Sequence, residues 1–140
     1  LLRHAHAEPA STGQADFDRP LSPRGLAEAE AAGAWLAAQS LMPDRVLCSP
    51  ALRARQTLDA LGELGCSDVR EEPAIYEASP GTLAALADAH ADAACLLIVG
   101  HNPGLEQLAA LLYSGQSGDH RGMPPGAVAV LAWSLFMAAA

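Results

Sequence analysis

Lysine is absent from this sequence: all eight basic residues are arginines, set against 16 acidic residues for a formal net charge of −8. A chain with that balance offers no surface able to neutralise a run of nucleic-acid phosphates. An anionic ligand must instead be drawn by a local cluster of arginines, against the field of the whole protein. Paired cysteines are missing too. Cys48, Cys66 and Cys95 are widely spaced and contain no C-x-x-C pair, which excludes a disulfide framework and a zinc site and fits reduced thiols in a cytoplasmic protein. Long apolar runs are also lacking. The stretch from Ala127 to Ala140 is too short to span a bilayer and contains Trp133 and Ser134, so its first part, Ala127 to Trp133, reads as a final buried strand. The chain opens on Leu1 rather than methionine, so earlier residues are expected to be missing; what remains carries no signal peptide.

What is present is a globular composition: 140 residues, 51% hydrophobic and 17% charged, suited to one domain over residues 1–140 with a single core. Short apolar runs alternate with amphipathic stretches. Leu1-Leu2 is the tail of a strand. Residues 23–39 are alanine-rich, with Leu26, Ala29, Gly33 and Leu36 recurring on one helical face. Arg45 to Cys48 reads as a strand and 50–63 as a helix through Leu52, Gln56, Asp59 and Leu61. Residues 79–90 give a third helix. Cys95 to Val99 is the clearest strand, closed by Gly100, and 103–113 gives a fourth helix. Loops rich in Gly, Ser, Pro and Asp fall at 8–21 and 113–126. This alternation predicts an α/β fold of three layers: a mostly parallel central sheet with helices on both faces.

Four helices are expected to open alike. Ser22-Pro23, Ser49-Pro50, Ser79-Pro80 and Asn102-Pro103 each set a capping side chain before a proline at the first helical position. The starts at Ser49 and Asn102 follow strands directly. In an open α/β sheet the carboxyl ends of the strands face the ligand crevice, and a helix N-terminus there favours an anion.

Three segments end a strand and carry basic or imidazole groups: Arg3-His4-Ala5-His6, the stretch from Cys48 to Thr57 with Arg53 and Arg55, and Gly100-His101-Asn102. Parallel strands gather all three at one sheet edge. Arginine forks match phosphate oxygens and stay charged at any working pH. A neutral imidazole can attack phosphorus and carry the phosphoryl group covalently. The arginines and a second, protonated histidine would then hold the other oxygens as charge shifts.

These segments closely resemble the histidine phosphatase superfamily, which includes the phosphoglycerate mutases. The Leu2-Arg3-His4 opening, the Ser49-Pro50-x-x-Arg53-Ala54-x-Gln56-Thr57 stretch and Gly100-His101-Asn102 stand in that family's order, over nearly the whole chain. Arg19-Pro20-Leu21-Ser22 is similar more narrowly to its short SixA-type phosphohistidine phosphatases. The resemblance implies a phosphoglycerate mutase-like fold, His4 as the phosphorylated nucleophile, Arg3 and Arg53 as phosphate clamps and His101 as the second imidazole. Glu77 stands where the family's leaving-group acid is to be sought. Two departures matter. Ala5 replaces the family's usual glycine, which is tolerable at negative φ. The connection from Arg55 to Val99 has no room for the mutases' lid, which implies an open site suited to phosphate displayed on a protein.

The remaining polar residues receive plainer roles. His4 and His6 share a face of an extended segment, but no third metal ligand accompanies them, and no metal or cofactor is expected. Ser49 and Asn102 are expected as caps, Arg55 as a structural or rim residue, Arg19 as a partner of Asp16 or Asp18, and His90 and His120 as solvent-facing. Ser11 and Thr12 lie in the loop that leaves the nucleophile. The leading expectation is a monomeric, cofactor-independent phosphatase acting on phosphohistidine in a partner protein. The alternatives are a small-molecule phosphomonoesterase, told apart by the effect of Glu77→Gln on ester hydrolysis, and a phosphate-binding module without turnover.

Overall fold

The computed structural model describes residues 1–115 and 122–132. Strands β1 (Leu2–Arg3), β2 (Arg45–Cys48), β3 (Val69–Glu71) and β4 (Leu96–Gly100) form one sheet in the order β1-β4-β2-β3, and every neighbouring pair is parallel. Leu2 stands opposite Val99, and Val46 lies between Leu97 and Val69. Between and after the strands run α1 (Pro23–Ala38), α2 (Leu52–Ala60), α3 (Pro80–Ala89) and α4 (Gly104–Ser114).

Strand side chains alternate between faces, and that alternation splits the core in two. Leu2, Val46, Cys48, Leu97 and Val99 pack with Ala32 of α1 and Ala54 of α2. Leu47 and Ile98 point the other way, toward Leu83 of α3 and Leu105 and Leu108 of α4. Helices therefore cover both faces, which is the predicted three-layer α/β arrangement. Each fully buried aliphatic side chain, Leu2, Leu47 and Leu105 among them, contributes about 1.5–3 kcal/mol through removal from water. The alanine-rich α1 lets α2 approach closely: a Cβ on Gly33 would collide with the backbone carbonyl of Leu61.

Local details depart from the sequence pattern for identifiable reasons. Leu26 is exposed; the buried stripe of α1 is Gly25, Ala29, Ala32, Gly33 and Leu36, because Gly25 rests directly on the His6 carbonyl. The buried face of α2 is Arg53, Ala54 and Thr57, not the Leu52, Gln56, Asp59 series, since Arg53 and Thr57 turn inward to make hydrogen bonds. Strand β3 was not expected. Its three residues are all exposed, so it leaves no apolar signature and is held by its backbone ladder to β2.

Two of the four expected caps form. Ser22 Oγ accepts from the Gly25 N–H at 3.0 Å, and Ser79 Oγ from the Thr82 N–H at 3.1 Å. The other two are corrected: α2 begins at Leu52 behind Ala51, and α4 at Gly104 behind Pro103, whose peptide bond to Asn102 is cis. The side chains of Ser49 and Asn102 are used elsewhere, Asn102 Nδ2 donating to the Met123 carbonyl at 2.8 Å and to Glu106 Oε2 at 3.2 Å. The final strand expected at 127–133 is reduced to an isolated antiparallel bridge between Leu2 and Val128, and Val130 is exposed; Trp133 and His120 lie outside the described residues. Among the described residues no helix is long and apolar enough to cross a membrane.

Candidate active site

Parallel pairing brings the carboxyl ends of β1, β2 and β4 to one edge. His4 follows β1 and donates its backbone N–H to the Gly100 carbonyl at 3.0 Å; Ser49 follows β2 and does the same to Val99 at 3.0 Å; His101 follows β4. The rings of His4 and His101 end with their centroids 5.1 Å apart, and both residues are buried.

His4 Nδ1 lies 2.7 Å from the Ala5 carbonyl oxygen. A carbonyl only accepts, so Nδ1 carries the hydrogen and Nε2 keeps its lone pair. That nitrogen receives the Arg53 Nε–H at 3.4 Å. Ala5 itself is fully buried, and positive φ among non-glycine residues described is confined to Ser40 and Glu77, so the side chain replacing the family glycine sits without backbone strain. Thr57 fixes this turn: its Oγ1 accepts from the Ala5 N–H at 3.0 Å and donates to the Arg53 carbonyl at 2.7 Å. Gln56 Oε1 accepts from the Leu21 N–H at 2.8 Å, tying α2 to the loop before α1.

Arg53 is buried, and its guanidinium turns to Asp16. Nη1 donates to the Asp16 carbonyl at 2.8 Å and Nη2 to Asp16 Oδ2 at 3.0 Å. The same carboxylate accepts from the Tyr76 hydroxyl at 2.7 Å and from Arg19 Nη1 at 2.9 Å. Three donors hold Asp16 ionised far below the usual carboxylate range, the Tyr76 hydroxyl first, and Asp16 in turn pushes the Tyr76 phenol up. Tyr76 packs edge-on against His101 at 5.5 Å and against Phe17 at 5.3 Å. Arg3 Nη1 donates to the Met123 carbonyl at 3.0 Å, while Arg3 Nε is buried without a hydrogen-bond partner among the described residues.

Burial pushes the His4 imidazole down to about 4, with Arg53, Arg3 and Arg19 adding to the effect against the Ala5 carbonyl. His101 is pushed down to about 3, first by burial and then by His4, Arg53 and Arg3. Both rings are therefore neutral at pH 7, and the protonated second histidine expected from the sequence is not the state of the free site. His101 Nε2 meets Ser49 Oγ at 2.7 Å, and its Nδ1 is buried without a hydrogen-bond partner among the described residues.

A cavity of about 450 Å³ opens beside Arg53 and His101, lined in part by Asp16, Tyr76, Glu77 and Asn102 as well; His4 and Arg3 are not among its described lining residues. Glu77 is exposed on its wall, with a left-handed φ of 60°. That backbone costs roughly 1–2 kcal/mol for a residue with a Cβ. A second cavity of about 410 Å³ lies at the amino ends of the strands. Leu36, Leu41, Met42 and Leu108 line it in part, and it has no arginine to draw an anion.

The structure thus brings together Arg3, His4, Arg53 and His101, and sets Glu77 on the cavity wall beside Arg53 and His101. The other expected residues separate from the site. His6 turns to Ser22, Nδ1 to Oγ at 2.6 Å, and among the described residues no three His, Cys, Asp or Glu side chains are grouped as metal ligands. Arg55 is exposed near Glu71 at 4.0 Å, and Ser11 bonds to Gln14 within its own loop. Arg19 pairs with Asp16, as one of its two expected partners. His90 is half-buried against Arg45 at 3.1 Å rather than solvent-facing, because Arg45 gathers it with Asp68 and Asp92. The residues that sequence reading missed are Asp16, Ser49, Thr57 and Tyr76. Ser49 and Thr57 stood inside the quoted motif, whereas nothing in the spacing of Asp16 and Tyr76 joins them.

Comparison with known proteins identifies the family. Residues 1–95 match the model of the histidine phosphatase superfamily, branch 1. An uncharacterised protein of Mycobacterium tuberculosis is 44% identical over 114 residues, 81% of this chain and 70% of its own. The phosphohistidine phosphatase SixA of Escherichia coli is 32% identical over 124 residues, 84% of this chain and 74% of its own. The structure of the protein histidine phosphatase SixA in complex with tungstate aligns with a TM-score of 0.69 at 31% identity, over 79% of this chain and 73% of that one. A motif-ordered set of arginines and histidines at one parallel sheet edge, together with these matches, places the chain in the histidine phosphatase superfamily, branch 1.

Proposed function

We propose that the protein is a phosphohydrolase in which His4 Nε2 attacks phosphorus, and that its substrate is phosphohistidine on a partner protein. The observation that carries the reading is the fixed tautomer of His4. Its Nδ1–H is spent on Ala5, so the lone pair stands on the nitrogen beside Arg53, in a ring whose centroid is 5.1 Å from that of His101.

In the first step the lone pair forms a bond to phosphorus as the bond to the leaving group breaks. Arg3, Arg53 and His101 stabilise the oxygens of the transferred group; Arg3 Nε and His101 Nδ1 are two of the three buried side-chain polar atoms, Asn102 Oδ1 being the third, without a hydrogen-bond partner among the described residues. In the second step water attacks phosphorus, the P–Nε2 bond breaks, and phosphate leaves with neutral His4 restored. The leaving group decides the substrate. A phosphohistidine protonated on its free ring nitrogen departs as neutral imidazole and needs no further proton. An ester departs as an alkoxide and needs an acid. Asp16, the carboxylate joined to Arg53, is held ionised and has no proton to give. The short connection after Arg55 and the likeness to SixA support the same substrate.

Glu77 on the cavity wall favours the second reading, a small-molecule phosphomonoesterase with Glu77 as acid. Phosphate release from a phosphohistidine protein and from a small phosphoester separates the two. The first reading predicts faster release from the phosphohistidine protein, and no loss of it on Glu77→Gln. A preference for the ester, abolished by Glu77→Gln, overturns the substrate assignment.

A further inference from the structure

We infer that Ser49 is a positioning residue whose hydroxyl fixes the tautomer of His101, so that a neutral Nδ1–H is presented to the transferred phosphoryl group. The inference rests on the proposed place of His101 beside that group.

Ser49 is fully buried at the end of β2, and its backbone N–H is spent on the Val99 carbonyl. Its Oγ already accepts from the Ala51 N–H at 3.3 Å. The hydroxyl hydrogen therefore needs an acceptor, and among the described residues the partner available is His101 Nε2 at 2.7 Å. A ring nitrogen that accepts there bears no hydrogen, so the neutral ring carries it on Nδ1. The opposite tautomer would strand the buried hydroxyl hydrogen and leave a lone pair on Nδ1. Nδ1 is buried and makes no hydrogen bond among the described residues. A donor in that state is costly unless a ligand pairs it; a lone pair there would repel a phosphoryl oxygen.

The two histidines are then complementary. His4 spends Nδ1–H on Ala5 and keeps a lone pair on Nε2; His101 spends its Nε2 lone pair on Ser49 and keeps an N–H on Nδ1. One is prepared to attack phosphorus and the other to hold an oxygen. His101 does so without being charged, since burial and its cationic neighbours keep it neutral in the free site. Ser49 occupies the place where a helix cap was expected, and its hydroxyl is committed to the imidazole instead.

The test uses the whole protein labelled with ¹⁵N-histidine at pH 7, with tungstate as the anionic probe. The wild-type spectrum is expected to show His101 protonated at Nδ1 and bare at Nε2. In Ser49→Ala the Nε2-protonated form should appear, tungstate affinity should fall about tenfold, and kcat should fall more than KM rises. A wild-type His101 protonated at Nε2 overturns the inference even if Ser49→Ala does not fold. So does a folded Ser49→Ala with unchanged tautomer and tungstate affinity. A wild-type protein with the expected tautomer that binds tungstate but releases no phosphate counts against the proposed hydrolysis and leaves the Ser49 assignment standing.

Discussion

The Arg53 Nε–H points at Nε2 of His4 across 3.4 Å, linking the start of α2 to a ring 49 positions earlier in the chain. The other end of the same guanidinium grips Asp16 through both of its terminal nitrogens. Arg53 therefore faces the nucleophile with one edge and its anchor with the other. Lysine has the charge but not this fork. Arg53→Lys is expected to lower kcat/KM by about 10²-fold, the scale for loss of one preorganised donor, with the fold retained. Steady-state kinetics with a phosphohistidine protein checks this, and a change under threefold would remove Arg53 from the account.

Asp16 joins Arg19, Arg53 and Tyr76 through one carboxylate. Asp16→Asn keeps the size but loses the charge that holds Arg53 in place and raises the Tyr76 phenol. Two outcomes are expected together: KM rises by about an order of magnitude as the charged hydrogen bonds are lost, and alkaline absorbance titration shows Tyr76 ionising at lower pH than in the wild type. An unmoved phenol titration would mean that Asp16 and Tyr76 are not joined in solution.

The two site histidines make stability depend on pH. Their folded values, about 4 and about 3, lie below the ordinary 6.5, so the unfolded chain binds more protons between these limits. Stability is full above about pH 6.5 and declines as pH falls toward 4 and 3, approaching about 1.4 kcal/mol per pH unit for each ring. Urea unfolding from pH 7 to pH 5 should follow this slope, and His101→Gln should flatten it by the share of one ring. The acid limb of kcat/KM should lie near pH 4 for the same reason. A limb at 6.5 would show that burial does not depress His4.

Much of this arrangement was legible in the sequence. Arg3, His4, Arg53 and His101 stood beside apolar runs short enough to be buried strands, and the parallel order then fixed one edge for all of them. Asp16 and Tyr76 were not legible, because a bond across 60 residues leaves no mark on either neighbourhood. Strand β3 was missed because Val69, Arg70 and Glu71 are all exposed and bury no apolar side chain that would mark a strand. Ser49 and Asn102 were misread because α2 and α4 begin further along, behind Ala51 and Pro103, and both side chains bond distant groups.

Gly33 tests the packing that carries α2 and hence Arg53. Gly33→Ala drives a methyl group against the Leu61 carbonyl, and is expected to cost about 1–3 kcal/mol as overpacking, although alanine favours helix. Urea unfolding measures it, and a stabilised variant would show that α1 and α2 are not in close contact there.

The central claim is that the phosphoryl group passes through His4. A phosphohistidine protein carrying ³²P, mixed with enzyme and quenched in alkali within milliseconds, measures this most directly. The account predicts label on His4 of the wild type, declining as inorganic phosphate appears, and neither label nor phosphate with His4→Ala. Phosphate released by His4→Ala at the wild-type rate would contradict it.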